Sequence, residues 1–254
     1  MVETVIGAQL YTLRDYLKTP EDIAETLKQV REIGYSVVQL SGLGPIEPKD
    51  LRKILDGEGL YPCSTHTGYE KIIKETQKVI EEHKILGAPI VVCPGLPSEL
   101  HNGEGYKKVA LELSRAGEIF VKNGLSLAYH NHGIEFEKYG DKIGLEILYA
   151  ESNPEYLQAE IDTYWVQYGG GDPAEWCNKM KGRLPVLHLK DMGIKDNKPI
   201  MMEVGEGNLN WEAIIKAAQD AGTKWYLVEQ DICQRPPIES LKISLENMKK
   251  MGLS

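Results

Sequence analysis

At 254 residues, with 42% hydrophobic and 26% charged side chains of both signs interleaved, the chain has the composition of an ordinary globular protein and not of a disordered one. A formal net charge of -9 works against a nucleic-acid partner, because such binders gain affinity by releasing counterions from clustered Lys and Arg. No stretch approaches the ~20 apolar residues that span a bilayer, and Cys63, Cys93, Cys177 and Cys233 are too widely spaced for a zinc knuckle or a disulfide framework, so a cytoplasmic protein without membrane segments is expected.

In chain order, eight short runs rich in Val, Ile, Leu and Tyr read as strands, each followed by a longer stretch whose apolar residues have helical spacing. They cover Val5 to Tyr11, Val37 to Gly42, Leu60 to His66, Pro89 to Gly95, Leu125 to His132, Leu157 to Trp165, Leu184 to Asp191 and Trp225 to Asp231. Between them, Thr19-Pro20-Glu21-Asp22 opens a helix that ends near Gly34, Asp172-Pro173 opens another, and Asn210-Trp211-Glu212 opens one that stops at Gly222. Strict alternation implies parallel strands with right-handed crossovers, and eight units in about 250 residues is the usual size of a closed (β/α)8 TIM barrel. No Pro-rich or Gly/Ser-rich linker interrupts it, so residues 1–254 are expected to form a single domain. An open doubly wound sheet would call for a G-x-G-x-x-G after an early strand; GAQLYTLRD is no such fingerprint, and the glycines at 169–171 are accounted for by a turn into a helix.

In a barrel the carboxyl ends of the strands build the site. Gln9 and Tyr11, His66, His130 and His132, Glu160 and Asp162, His188 and Lys190, and Glu229 and Asp231 occupy those ends, so four of the six histidines lie there and only His83 and His101 elsewhere. Alternation puts both members of each late pair on one face. If that face is inward, the ionisable groups require a divalent cation or a set of ion pairs to compensate them. Mixed carboxylate and imidazole donors suit Mn, Co, Zn or Mg. Lys190 and Asp191 can also be read as a simple ion pair at the rim.

At these residues the chain resembles the sugar phosphate isomerase/epimerase family, the xylose isomerase-like barrels that include endonuclease IV. The motifs GAQLYTLRD, REIGYSVVQLSG, EIDTYWVQYGGGDP, PVLHLKD, EVGEGNLNW and YLVEQD carry the resemblance almost end to end. It implies one divalent ion held by a glutamate ending strand five, an aspartate ending strand six, a histidine ending strand seven and a glutamate ending strand eight. Asp162, His188 and Glu229 match three of these. Where many relatives have Glu-Asn-His, this chain has His130-Asn131-His132. His130 is the expected fourth ligand, since strand ends hold ligands more firmly than loops, and the alternative is Glu135 reaching back from the following loop. A second departure is Trp165, where some relatives place a histidine; with so few histidines at the mouth, a three-metal endonuclease site is not expected.

The implied activity is that of a metal-dependent isomerase or epimerase of a ketose or keto-sugar, with proton abstraction next to a carbonyl as the chemical step. Glu229 is the expected base, and Glu135, Glu160 or His132 the second acid/base that epimerisation needs. His66, His132, Lys190, Gln9 and Trp165 are the expected sugar contacts. If only one competent base exists, the same chemistry would end in β-elimination, as in a lyase or dehydratase of a keto-sugar or keto-inositol; a catalytically silent sugar-binding barrel is the remaining alternative. The expected partner is a small-molecule sugar, with room on the barrel surface for a homo-oligomer.

Overall fold

The computed structural model describes residues 4–253, and in it each of the eight runs contributes one strand to a closed parallel barrel. The strands are β1 (Val5–Gln9), β2 (Val37–Leu40), β3 (Tyr61–His66), β4 (Ile90–Cys93), β5 (Ser126–His130), β6 (Gln158–Asp162), β7 (Val186–Leu189) and β8 (Trp225–Val228). Each pairs with its neighbours in sequence, and β8 closes on β1 through Val5↔Trp225 to Ala8↔Val228. The expected helix starts appear. Thr19 and Asp22 form a reciprocal capping box on Pro20–Glu32, Asp172 caps Pro173–Lys179, and Asn210 caps Trp211–Ala221, which ends on Gly222 at φ +88°.

The strands are shorter than the runs, because the polar ends leave the sheet to build the mouth. Leu10–Tyr16 coils into a 3-10 helix, and Thr163–Tyr168 is already an α-helix capped by Asp162. Two antiparallel hairpins, Lys138–Tyr139 with Lys142–Ile143 and Asp191–Lys195 with Lys198–Met202, ride on the loops after β5 and β7. The second turns at Asp196 and Asn197, both at positive φ, as a two-residue hairpin turn demands.

Alternation along the strands separates two apolar regions. Outward residues such as Ile6, Val38, Tyr129, Ile161, Leu187 and Tyr226 pack against the helices. Inward residues Val37, Cys63, Ile90, Val92, Ala128, Val186, Trp225 and Leu227 fill the lower barrel. Gly7 is required there, since a Cβ on it would lie 2.6 Å from Leu227 Cδ2. Between β2 and β3 the register shifts at Val38/Gln39, so that Gln39 meets Ser64 and not Cys63. This bulge lets Cys63 and Ser64 both face inward and resets the phase, so that Thr65 points out to His83 while His66 points in.

The EVGEGNLNW segment is shaped by one buried carboxylate. Asp191 accepts the backbone N–H groups of Met192, Gly205, Gly207 and Leu209 and the indole N–H of Trp211, at 2.6–3.2 Å. A Cβ at Gly207 would fall 2.3 Å from Asp191 Oδ1, which accounts for the glycine. Asp191 therefore does not pair with Lys190; it pins the loop that follows the β7 hairpin.

Two stability predictions follow from these buried groups. Replacing Asp191 with Ala strands several buried donors and is expected to cost about 3 kcal/mol or more in urea denaturation, whereas a change below about 1 kcal/mol would mean that water replaces the carboxylate. His83, buried on the helix Thr76–Leu86, donates Nδ1–H to the Val79 carbonyl at 2.7 Å, and its Nε2 lies 2.6 Å from Thr65 Oγ1. Burial lowers its pKa against the opposing pull of that carbonyl, so the unfolded chain takes up a proton first. The contribution of His83 to stability is then complete above the ordinary histidine pKa of about 6.5 and declines as pH falls below it. The stability gap between the native protein and His83→Gln should narrow between about pH 6.5 and 5; a gap independent of pH would mean that the folded state accommodates the proton.

Candidate active site

The upper barrel is polar because its strands end in polar residues. At its floor lies Glu160, on β6 and without solvent exposure. Its Oε1 accepts His66 Nε2–H at 2.8 Å and lies 3.0 Å from His188 Nε2 and 3.3 Å from His130 Nδ1; its Oε2 accepts Gln39 Nε2–H at 2.6 Å. Gln39 also donates to Ser64 Oγ at 2.8 Å and accepts from Gln9 and, at 2.6 Å, from His188 Nε2. Burial alone would raise the pKa of Glu160, but the charge of His188 and the hydrogen bonds of three imidazoles hold it well below the usual carboxylate range. The rings of His66, His130 and His188 close over it with centroids 4.5–5.5 Å apart.

Above this floor, His130, Asp162, His188 and Glu229 bring one donor atom each to within 4.8 Å of one another. The Asn131 side chain accepts from Asp162 N at 3.1 Å, and Asp162 Oδ1 accepts from Trp165 N at 3.0 Å, which leaves Oδ2 for the cluster. His188 Nδ1 donates to Glu229 Oε2 at 2.9 Å and lies 3.8 Å from Asp162 Oδ2, while His130 Nε2 is 4.0 Å from that same oxygen. With N–H bonds made from both ring nitrogens, His188 is an imidazolium: burial opposes the proton, but Glu160 and Glu229 push its pKa up to about 10. Lys190, fully buried, places its ammonium 2.9 Å from Asp162, 2.8 Å from Glu229 and 2.6 Å from Asp231. Burial works against its charge, yet these carboxylates keep its pKa well above the ordinary lysine value.

The donor set fits a divalent ion. Two carboxylates match the charge and two imidazoles suit a first-row transition metal. The cation already beside Asp162 Oδ2 is the Lys190 ammonium at 2.9 Å, an ion pair outside hydrogen-bond geometry among the described residues, so the oxygen keeps acceptor capacity that a metal ion could use.

A cleft of about 270 Å3 opens above the set, lined by Tyr11, Ser41, His66, Pro94, His130, His132, Glu229 and Asp231. A larger groove of about 580 Å3 lies to one side, between Phe136, Lys138, Gly169–Gly171 and Trp176, and holds none of the converging imidazoles. The glycines there serve packing, since a Cβ at Gly169 would fall 2.3 Å from the Phe136 ring.

Of the expected residues, His66 and His132 line the cleft, and His132 packs edge-on against His130 and lies 5.5 Å from the Trp165 ring. The indole N–H of Trp165 is buried without a hydrogen-bond partner among the described residues. Gln9 and Lys190 are fully buried and do not line the cleft: Gln9 supports Gln39, and Lys190 holds the carboxylates together. Glu135 does not reach the set. Its carboxylate accepts Tyr129 O–H at 2.6 Å and His132 N–H at 2.8 Å, and Tyr129 lies on the helix-facing side of β5. Gln39 was not among the expected site residues; the signal was a lone amide inside the otherwise apolar VVQL, level with Gln9 across the β1–β2 ladder.

Comparison with known proteins agrees with this architecture. The chain is 23% identical to the rhizopine catabolism protein MocC of Rhizobium meliloti, over 91% of this chain and 82% of that one. It is 24% identical to an inosose dehydratase of Clostridium perfringens, over 85% of each. A sugar phosphate isomerase/epimerase from Parabacteroides distasonis superposes with a TM-score of 0.83 at 26% identity, covering 98% of this chain and 94% of the other. Residues 27–251 match the family model of these barrels, and the chain belongs to the xylose isomerase-like TIM barrel family.

Proposed function

We propose that the protein is a metal-dependent isomerase or epimerase of a ketose or keto-sugar, acting by proton abstraction next to a carbonyl. The observation that carries this reading is the convergence of His130, Asp162, His188 and Glu229 at the base of an open cleft. A divalent ion bound there, with Mn, Co and Zn better suited than Mg to two imidazoles, would act as a Lewis acid toward the carbonyl and an adjacent hydroxyl oxygen.

The chain's own residues supply the rest. Glu229 is the base: its Oε2 is engaged by His188 and Lys190, and its other oxygen is left to take the proton from the carbon beside the carbonyl. Burial works against the charge of both carboxylates: at Glu229 Lys190 and His188 prevail and hold its carboxyl well below the usual range, so it need not lose a proton before it acts, whereas at Asp162 burial prevails over Lys190 and the pKa rises. His66 and His132 stand in the cleft as hydrogen-bonding groups for sugar hydroxyls, and His132 is the acid/base available to return a proton from the other face. The ring of Trp165 beside His132 offers an apolar surface for a sugar face.

A second reading has its own support. Glu135 and Glu160 are both held away from the cleft, so the acid/base partners of Glu229 are imidazoles and not a second carboxylate. An imidazole that protonates a β-hydroxyl as Glu229 removes the α-proton would expel water, which is the reaction class named for the inosose dehydratase relatives.

Incubation with 2-keto sugars, 3-keto sugars and inososes in deuterated water with Mn2+ is the decisive experiment. An epimerase or isomerase washes deuterium into recovered sugar and yields an altered stereoisomer, whereas a dehydratase accumulates an unsaturated ketone. Glu229→Gln should lower either rate about 100-fold or more. No exchange from metal-loaded protein on any of these substrates would leave only a sugar-binding barrel.

The ion itself is tested separately. Elemental analysis should find a single divalent ion per native chain and almost none in Asp162→Asn; an undiminished metal content in that variant would remove Asp162 from the site.

A further inference from the structure

Beneath the proposed ion-holding set lies a second layer that touches neither the cleft nor a substrate. We propose that Glu160, itself fixed by Gln39, is the positioning carboxylate of the metal centre, turning His130 and His188 so that His130 Nε2 and His188 Nδ1 face Asp162 and Glu229. The inference rests on the reading that His130, Asp162, His188 and Glu229 hold the ion.

The two rings divide their nitrogens between the layers in the same way. His188 Nε2 points down, 2.6 Å from Gln39 Oε1 and 3.0 Å from Glu160 Oε1, while Nδ1 points up, 2.9 Å from Glu229. His130 Nδ1 points down, 3.3 Å from Glu160 Oε1, and Nε2 points up toward Asp162 Oδ2. A ligating imidazole whose remaining N–H is held by a carboxylate or an amide oxygen has its tautomer and ring plane fixed. Here a single carboxylate oxygen accepts from His66 and lies 3.0 Å from His188 Nε2 and 3.3 Å from His130 Nδ1, the last contact falling outside hydrogen-bond geometry, and the other oxygen is tied to Gln39. Gln39 is in turn anchored on both sides, by Gln9 from β1 and to Ser64 on β3, the residue that the bulge turns inward.

His66, His130, Glu160 and His188 also bring donor atoms within 4.8 Å of one another and form a rival set. The upper set prevails on two counts. It offers two carboxylates to a dication where the lower offers one, and its carboxylate Glu229 lines the cleft, whereas Glu160, the one carboxylate of the lower set, does not and already accepts hydrogen bonds on both oxygens.

Titration of the metal-free full-length chain with Co2+ alone, followed by visible absorption, tests the assignment. Glu160→Ala is expected to weaken Co2+ binding about 10–100-fold while leaving the band positions of the complex unchanged. Glu160→Gln, whose amide oxygen still accepts from His188, should lose less, Gln39→Leu should weaken binding in the same direction as Glu160→Ala, and Asp162→Asn should abolish it. Unchanged affinity in both Glu160→Ala and Gln39→Leu overturns the proposal, as does loss of binding in Glu160→Ala with retention in Asp162→Asn, which would put the ion in the lower set. Nitrogen-15 spectra of the native chain loaded with Zn2+ need no variant to fold: His188 should be metal-bound at Nδ1 and protonated at Nε2, and the reverse tautomer refutes the arrangement. These are binding measurements, so a failure to turn over keto-sugars would overturn the enzymatic reading and leave this one standing.

Discussion

Glu160 carries a negative charge at the centre of the barrel with no access to water, and much of the upper barrel is arranged as that charge requires. A carboxylate in such a place either takes up a proton or is surrounded by donors. Three imidazoles and the amide of Gln39 surround it. The consequences spread outward. His188 becomes an imidazolium, Gln39 needs a partner on each side, and the strand carrying Ser64 bulges to provide one.

The layer above Glu160 repeats the pattern with the signs reversed. Lys190 is a buried ammonium, and Asp162, Glu229 and Asp231 converge on it from β6 and from the segment following β8. Ion pairs of this kind contribute little net stability over an apolar core, because desolvation of both partners offsets their attraction. Their effect is on geometry and protonation state. Asp162 Oδ2 is held 3.8 Å from His188 Nδ1 and 4.0 Å from His130 Nε2, His188 Nδ1 lies 2.9 Å from Glu229, and Glu229 stays ionised although buried. The cation and the ion pairs that composition offered as alternatives are therefore compatible: Lys190 balances the carboxylates from behind while the donor atoms converge in front.

Much of this was legible in the sequence because a barrel ties function to strand ends. Eight apolar runs gave the strand count, and His130, Asp162, His188 and Glu229 converge because alternation turned each of them inward. What failed was whatever depended on phase or on loops. A period of two predicts that Cys63 and Ser64 face opposite sides, and only the bulge brings both inside. Glu135 lies five residues from His130 in sequence, close enough to suggest a ligand, yet the 3-10 turn Ile134–Phe136 carries its carboxylate to the far side of β5, where Tyr129 holds it. Lys190 and Asp191 are adjacent and opposite in charge, so they resemble a pair; the barrel strand ends at Leu189, the hairpin begins at Asp191, and the two side chains serve separate networks. Gln39 carries no charge and gives only a weak sequence signal, although it is the group that links Glu160 to β1 and β3.

The same network sets the conditions under which an ion can enter. His188 donates from both nitrogens, so on the proposed reading its Nδ1 would have to give up a proton before it could ligate, against the pull of Glu160 and Glu229 that raises its pKa. On that reading an ion would replace the lost charge at the same carboxylates. Removing Nδ1–H frees Glu229 Oε2 without disturbing the lower contacts of His188 to Gln39 and Glu160. His188 and Lys190 already supply positive charge to these carboxylates, so an ion held as proposed would take the place of the His188 Nδ1 proton, one cation exchanging for another.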